Sequence, residues 1–389
     1  MPRLQNLQGV LSHLETYCRI RSGSSNIEGV EEAQDFLKKL LAPLGFLSRR
    51  IANPDKRASA SLLVASKFVS PAAPTLTFVS HADTLDGADL DSAHAPFSLS
   101  AERITGQGVL DDKASQFVAL WGLSLFTAAH PEAKLNLNFV SSPNEELGSF
   151  GFYDEFRKLS LESQFVLGFE PALNGKDLVT ERRGNRWYDI HITGREAHAG
   201  RAHRHGINAA HELAIKIAKI HKLTSYKRDV TVNIGQIETT SSTYNVVCGG
   251  AQAKLDTRFA TTQDRDTLHK RITQILKREY VHSKEDKNPC TTRFEITDDC
   301  PPLHSNRSSR KWATSYAKII SELESRPIES GTSGGGADVC YFNRPGLIVF
   351  DGLGACGGSM HRADEYVEIA WFETRARALA NFLAEVLKP

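Results

Sequence analysis

Hydrophobic residues in the first half of the chain form short runs that are separated by longer segments of mixed character. Three of these runs, at 75–80, 135–140 and 165–169, take their apolar residues from Leu, Val and Phe. Runs of this length predict buried strands, and the intervening segments, such as 114–129, predict helices. Short apolar strands that alternate with helices predict an α/β sheet.

The pattern changes near Gly184, where the strands begin to alternate apolar and polar residues. The predicted order is βαββαβ, at residues 187–192, 207–221, 230–237, 251–259, 263–279 and 292–296. This order predicts a compact α+β domain of ferredoxin-like type. Because the helical pattern of 308–323 follows it, we expect a first domain at 1–183 and 300–389 and an inserted domain at 184–299.

Acidic and imidazole side chains lie just past the ends of the apolar runs. In chain order they are His81, Asp111, Glu146, Glu170 and His361. Ligands of open α/β sheets bind beyond the carboxyl ends of the strands, where these residues are expected. Mixed imidazole and carboxylate donors suit Zn²⁺, with Co²⁺ or Mn²⁺ as alternatives, and a shared carboxylate can hold two such ions.

Glu145 stands directly before one of these candidate ligands, where a general base would be placed. Taken alone, the Glu145–Glu146 pair could equally be the solvated start of a helix. The complete set in this order favours a hydrolase, because two metal ions acidify water and a neighbouring carboxylate can take its proton.

Five motifs around these residues resemble those of the M20 metallopeptidases, and the resemblance covers nearly the whole chain. They lie at residues 80–84, 106–113, 144–151, 169–171 and 360–367. The glycine-containing segments at 334–338, 351–354 and 357–358 are most similar to the glutamate carboxypeptidase (carboxypeptidase G2-like) branch. The resemblance implies a zinc-peptidase-like catalytic domain, with a mixed sheet flanked by helices, and an inserted dimerisation and lid domain.

The resemblance also implies a role for each metal ligand. Asp111 would bridge two divalent ions. His81 and Glu170 would complete the ligands of one ion, and Glu146 and His361 would complete those of the other.

Further catalytic roles follow from the same resemblance. Glu145 would be the general base, and the carboxylate of Asp83 would accept a hydrogen bond from the far nitrogen of His81. The peptide bond between Asp111 and the next residue would be cis. A Glu at position 170 resembles the carboxypeptidase and deacylase members, whereas the aminopeptidases usually have Asp there.

The inserted domain carries its own candidates. His198, in the segment 196–200, resembles the histidine that reaches the active site of the other subunit and stabilises the oxyanion. Asn245 resembles a substrate-contacting residue, and Arg258 resembles an arginine that binds a substrate carboxylate, although an arginine there is often only an ion-pair partner. Gly335 would allow backbone approach to substrate, or form a tight turn.

Composition restricts the partners and the location. The formal net charge is +1, which gives no reason to expect a nucleic-acid or membrane partner. The six cysteines contain no CxxC pair, which favours reduced thiols in a cytoplasmic protein. The first 25 residues have the pattern of an amphipathic helix rather than a signal peptide, and no apolar segment approaches the length of a bilayer.

Three functions remain open from the sequence. The first is a homodimeric metal-dependent amidohydrolase that releases a C-terminal amino acid of glutamate type from a small peptide, or deacylates an N-acyl amino acid. The second is an aminopeptidase or dipeptidase. The third is a catalytically idle binding dimer, against which the intact Glu145 and the complete ligand set argue.

Overall fold

The computed structural model describes Leu4 and residues 6–85, 97–241 and 243–388. The chain divides into two compact units. Unit 1 comprises Met1–Glu181, Leu303–Ser333 and Ala337–Pro389, and unit 2 comprises Arg182–Pro302 and Gly334–Gly336. The sequence-based boundaries of the inserted domain were 184 and 299.

The helices of the described residues are numbered in chain order. They are α1 Leu7–Cys18, α2 Ile27–Leu41, α3 Ser115–Ala129, α4 Tyr153–Glu162, α5 Ala209–His221, α6 Thr262–Lys277, α7 Arg307–Glu324, α8 Val339–Phe342 and α9 Ile369–Val386. None of these helices is both long and apolar enough to cross a membrane.

The strands of the described residues are numbered in the same way. They are β1 Leu47–Ile51, β2 Leu62–Lys67, β3 Thr75–His81, β4 Ser98–Leu99, β5 Arg103–Thr105, β6 Asn136–Ser142, β7 Phe165–Gly168, β8 Leu178–Arg182, β9 Gly184–Thr193, β10 Thr231–Thr239, β11 Gly250–Phe259, β12 Thr291–Cys300, β13 Leu303–His304, β14 Ser330–Ser333, β15 Ile348–Phe350, β16 Gly357–Gly358 and β17 Tyr366–Glu368.

Side-chain caps explain where several helices begin. The residue before each of five helices accepts a hydrogen bond from the backbone N–H three residues later; these caps are Asn6, Asn26, Asn208, Thr261 and Asn306. Such caps satisfy one of the N–H groups that a helix start leaves without a partner.

The main sheet of unit 1 has the strand order β1-β2-β6-β3-β7-β15. Strands β6, β3, β7 and β15 run parallel, whereas β2 is antiparallel to both β1 and β6. All of β6, and β3 except its first residue, is buried, as expected for strands covered on both faces. The predicted mixed α/β sheet is therefore confirmed.

Helix α3 lies in the middle of the unit 1 core. It is buried on nearly all sides because its sequence is apolar all round. Gly122 allows α9 to approach closely, since a Cβ atom at this position would lie 2.7 Å from Cδ2 of Leu379 and 2.9 Å from the carbonyl oxygen of Ala376. Because α3 follows directly from the segment that contains Asp111, its fixed position helps to fix that segment.

Unit 2 contains an antiparallel sheet with the order β10-β11-β9-β12. Buried and more accessible residues alternate along β11, and its buried side chains share one hydrophobic cluster with those of α5 and α6. The strand and helix order is βαββαβ, so the predicted inserted α+β fold is confirmed.

Candidate metal centre

The residues of the candidate centre lie at or just beyond the carboxyl ends of three parallel strands, or in loops beside them. His81 ends β3, Glu145 and Glu146 lie in a single turn after β6, and Glu170 follows β7 by two residues. Asp111 is in a kinked turn at 109–114 before α3.

Potential donor atoms converge in two groups, within each of which they lie no more than 4.8 Å apart. The first group is His81, Glu145 and Glu170, and the second is Asp111, Glu146 and His361. The five predicted ligands are thus brought together with Glu145.

Asp111 lies between the two histidines. Its Oδ1 is 3.0 Å from Nε2 of His81, and its Oδ2 is 3.2 Å from Nε2 of His361. The Asp111–Asp112 peptide bond is cis, as the resemblance implies. This arrangement, with one carboxylate oxygen toward each imidazole, is what a residue shared by two metal ions requires.

The acidic groups at this centre are buried and lie close to one another, and both effects shift the pKa values of the residues there. Burial and the charge of Glu170 raise the pKa of Glu145 well above its ordinary value. Burial and the charge of Asp111 raise the pKa of Glu146 to about 8. The hydrogen bond to Asp111 raises the pKa of His361 to about 9.

This donor set fits a pair of divalent cations. Imidazole nitrogens and carboxylate oxygens are donors that Zn²⁺, Co²⁺ and Mn²⁺ accept. Positive charge between these groups would also offset the burial and the repulsion that raise the pKa values of Glu145 and Glu146.

Asp83 contacts the far nitrogen of His81 with its carboxylate, as expected, and also with its backbone oxygen. Nδ1 of His81 is 2.9 Å from the backbone oxygen of Asp83 and 3.3 Å from its carboxylate Oδ1. A carbonyl oxygen can only accept, so Nδ1 carries a proton, and Nε2 is the ring nitrogen that faces Asp111. The peptide carbonyl therefore gives the shorter contact that fixes the tautomer.

The carboxylate of Asp83 also holds the turn that contains the expected base. Its Oδ1 accepts the N–H of Glu145 at 3.0 Å, and its Oδ2 accepts the N–H of Glu146 at 3.2 Å. Oδ2 also accepts the hydroxyl of Ser24 at 2.7 Å. Asp83 is completely buried, and its hydrogen bonds join the end of β3 to the turn after β6.

Other buried polar residues support the centre and were given no role by the sequence. Gln116 on α3 donates to the backbone oxygen of His81, and Asp338 accepts the hydroxyl of Ser149. Asp351 accepts the N–H of Glu170 at 3.2 Å. Asp338 and Asp351 lie in the glycine-containing segments that resemble the family, which was the available signal.

His198 lies in unit 2, where its local contacts define its tautomer. Its Nδ1 accepts the N–H groups of Gly200 and Arg201, both at 3.2 Å, so the ring proton is on Nε2. The N–H of Ala199 donates to the oxygen of Asn245 at 2.8 Å. His198 and Asn245 are therefore on neighbouring, hydrogen-bonded segments.

Arg258 is half-buried and already makes one ion pair. Its Nε is 3.0 Å from Oδ2 of Asp256, whose Oδ1 accepts the indole N–H of Trp187 at 2.9 Å. The guanidinium is thus oriented through Nε, and a substrate carboxylate would have to use its two terminal nitrogens.

Gly335 lies in the short segment of unit 2 that follows β14. Its carbonyl oxygen and that of Gly336 accept hydrogen bonds from Nη1 of Arg182, both at 3.2 Å. Within the described part of the chain, no atom beyond the two neighbouring residues lies within 4 Å of a Cβ built on Gly335, whereas a Cβ on Gly336 would lie 2.7 Å from Sγ of Cys300. Close packing therefore requires glycine at 336, and substrate contact at Gly335 stays a prediction.

The chain is similar to known metal-dependent peptidases and amidohydrolases. Residues 180–284 match the family model of the peptidase dimerisation domain. The chain is 25% identical over 383 residues to carboxypeptidase G2 of Pseudomonas sp. (strain RS-16), a match that covers 97% of this chain and 89% of the relative. It is 24% identical over 333 residues to succinyl-diaminopimelate desuccinylase of Rickettsia africae (strain ESF-5), covering 81% and 84% of the two chains.

A solved structure has the same fold. An M20 family metallo-carboxypeptidase from Sulfolobus solfataricus superposes with a TM-score of 0.79 at 16% sequence identity. The match covers 98% of this chain and 100% of that chain.

Proposed function

We propose that this chain, which these comparisons support as an M20 metallopeptidase, is a dinuclear metal-dependent amidohydrolase that acts as a homodimer. Its substrate would be a small peptide or conjugate from which a C-terminal amino acid of glutamate type is released, or an N-acyl amino acid. The observation that carries the proposal is the carboxylate of Asp111, which has one oxygen toward His81 and the other toward His361.

The residues that would hold the ions are those of the candidate centre. Asp111 would be shared, with His81 and Glu170 on one side and Glu146 and His361 on the other. Two bound cations supply positive charge that polarises the amide carbonyl and makes water more acidic.

Glu145 would move the proton during hydrolysis. Its carboxylate would take a proton from the attacking water and pass it to the leaving nitrogen. Burial raises the pKa of this carboxyl, and the positive charge of two bound ions would lower that pKa again, so that the carboxylate could accept the proton. The hydrogen bond from its N–H to Asp83 fixes the turn from which it acts.

His198 would stabilise the negative charge that develops on the carbonyl oxygen. Its two acceptor contacts at Nδ1 leave Nε2–H as the donor, and an oxyanion requires a donor. We propose that this histidine comes from the partner subunit, in line with the match of residues 180–284 to a peptidase dimerisation domain.

The terminal carboxylate of the substrate would bind in unit 2. Asp256 engages Nε of Arg258, which leaves the two terminal guanidinium nitrogens as a pair for a carboxylate. Asn245 and the backbone at Gly335 would make further contacts with the substrate. These three assignments rest on the resemblance and on the orientation of Arg258.

The proposed amidohydrolase could act on either of two substrate classes, a peptide or conjugate with a C-terminal amino acid or an N-acyl amino acid. Similarity to a desuccinylase supports removal of an acyl group from an amino acid, and similarity to carboxypeptidase G2 supports release of a C-terminal amino acid. Glu170 argues against an aminopeptidase or dipeptidase, because it resembles the carboxypeptidase and deacylase members.

A substrate panel with defined metals tests the proposal. Folyl-type conjugates, N-acyl amino acids, and blocked and unblocked dipeptides are supplied to the protein with Zn²⁺, Co²⁺ or Mn²⁺, before and after chelation. We expect chelator-sensitive hydrolysis of the blocked substrates. Exclusive hydrolysis of unblocked dipeptides would favour the aminopeptidase or dipeptidase, and a metal-loaded dimer that is inert to every substrate would favour the idle binding dimer.

A variant of the base tests the mechanism directly. Glu145→Gln should retain the metals but lower turnover by roughly 10²–10⁴-fold. Glu162→Gln, at the exposed end of α4, is the matched control and should behave as wild type. Near-normal turnover of a metal-replete Glu145→Gln protein would remove Glu145 from the mechanism.

A further inference from the structure

The carboxylate of Glu365 is buried and serves as the acceptor for three backbone N–H groups. Its Oε2 accepts from Gly108 at 2.8 Å, and its Oε1 accepts from Leu110 at 2.7 Å and from Asp111 at 2.9 Å. Glu365 is only 3% exposed. Its backbone oxygen also accepts the N–H of Gly106 at 3.3 Å.

These N–H groups belong to a turn that cannot satisfy them with ordinary helical hydrogen bonds. Gly108 has a left-handed conformation with φ of +65°, and Asp111 is non-helical, with φ −113° and ψ 91°. A Cβ on Gly108 would lie 2.1 Å from Cγ2 of Thr84, so the turn is also tightly packed. The Glu365 carboxylate therefore replaces the missing backbone acceptors.

Glu365 also follows His361 by only four residues. The segment 361–365 therefore begins with the candidate ligand His361 and ends with Glu365, whose carboxylate holds the turn that contains Asp111. A displacement of Glu365 would change the orientation of Asp111 directly, because one of the three hydrogen bonds is to its own N–H.

We infer that Glu365 is a positioning residue that orients Asp111, so that one carboxylate oxygen faces His81 and the other faces His361. The inference rests on the proposed function, because it assigns a metal-bridging role to Asp111. Residues that hold metal ligands in place typically contribute 10–100-fold to metal affinity or activity.

The substitution Glu365→Gln separates orientation from side-chain size. Gln has nearly the same shape, but one of its two terminal positions is an NH₂ group that cannot accept a hydrogen bond. The NH₂ group would then face either the N–H of Gly108 or the N–H groups of Leu110 and Asp111. The hydrogen bonds on that side would be lost. Glu368→Gln is the matched control, because Glu368 lies three residues further on and its Oε2 accepts the indole N–H of Trp371 at 2.9 Å.

Three measurements are made on wild type, Glu365→Gln and Glu368→Gln. They are the affinity for each metal ion, the visible absorption spectrum after loading with Co²⁺, and the hydrogen exchange rate of amides 108–111 in metal-free protein. We expect Glu365→Gln to bind at least one ion roughly 10–100-fold more weakly, to alter the Co²⁺ spectrum and to exchange these amides faster. Glu368→Gln should match wild type in all three.

The outcomes distinguish this inference from the function on which it rests. If wild type binds two ions and Glu365→Gln binds both with the same affinity and spectrum, Glu365 has no positioning role and the proposed function stands. If wild type binds no divalent metal, both are wrong. If Glu365→Gln does not fold, Glu365→Asp, which keeps two acceptor oxygens on a shorter side chain, is measured instead and should show a smaller loss in the same direction.

Discussion

Replacing Asp83 by Asn changes one oxygen of a buried carboxylate into an NH₂ group and leaves the size of the side chain unchanged. In the structure the two oxygens accept the N–H groups of Glu145 and Glu146, together with the hydroxyl of Ser24. The hydroxyl can rotate to accept instead of donate, but a backbone N–H cannot. Asp83→Asn should therefore lose one of the two backbone hydrogen bonds whichever way the amide turns.

The size of the effect follows from that single bond. A hydrogen bond to a charged group contributes about 1.5–3 kcal/mol, and the free energy of unfolding should fall by a similar amount. If the lost hydrogen bond destabilises the transition state by the same free energy relative to the enzyme–substrate complex, kcat should fall roughly 10–150-fold. About 1.4 kcal/mol corresponds to a factor of ten. KM should change little, because Glu145 would act in the chemical step.

The assay measures steady-state kinetics, metal content and urea unfolding on the same preparations. Asp177→Asn is the matched control, because Asp177 lies in the same unit and its Oδ1 accepts the N–H of Glu329 at 3.0 Å. The control should lose stability but keep its kcat. The reasoning is refuted if Asp83→Asn is destabilised with a kcat within about twofold of wild type, or if the control loses as much kcat.

Three further predictions concern separate parts of the molecule. Burial raises the pKa of the Asp298 carboxyl to about 7, so its protonated form is favoured in the fold and its contribution to stability is lost as the pH rises toward 7. Asp298→Asn should therefore raise the free energy of unfolding by roughly 4 kcal/mol at pH 8 but by less than about 1 kcal/mol at pH 4. Equal effects at the two pH values would contradict this prediction. So would the same gain in the control Glu295→Gln, because Glu295 is exposed. Asp111→Asn should lose most of its metal, because an amide is a poor bridge between two cations, and elemental analysis that finds two tightly held ions per chain would exclude the bridging role. His198→Ala should lower kcat ~10²–10³-fold without loss of metal. If His198 acts across the dimer, mixing His198→Ala chains with Glu145→Gln chains should restore activity. No recovery in a sample proven to contain heterodimers would reject the shared site.

Much of the fold and of the candidate centre could be predicted, because strands produce a recognisable pattern of apolar residues and the candidate ligands follow the ends of those strands in the sequence. Apolar runs of strand length predicted the parallel strands, and residues at their carboxyl ends had to lie at one edge of the sheet. The structure accordingly brings His81, Glu145 and Glu170 together. The switch to alternating strands after Gly184 predicted the inserted unit for the same reason.

The contacts that hold these residues could not be predicted, because they depend on backbone groups. The sequence does not reveal that the peptide oxygen of Asp83, rather than its carboxylate, gives the shorter contact to His81. Nor does it show that Glu365 accepts hydrogen bonds from a turn more than 250 positions earlier, because N–H groups are common to almost every residue type. Similarly, the three consecutive glycines gave no means of identifying Gly336 as the one that close packing requires.

The composition of unit 2 has a consequence for anyone who wishes to isolate it as a fragment. A single cut at each end of 182–302 yields a continuous polypeptide, but it leaves out Gly334–Gly336. Two carbonyl oxygens of this tripeptide accept hydrogen bonds from Arg182, and Gly336 packs against Cys300. An excised fragment would expose the surface that these glycines cover, so a faithful version must restore them, for example as a short peptide joined by a linker after Pro302.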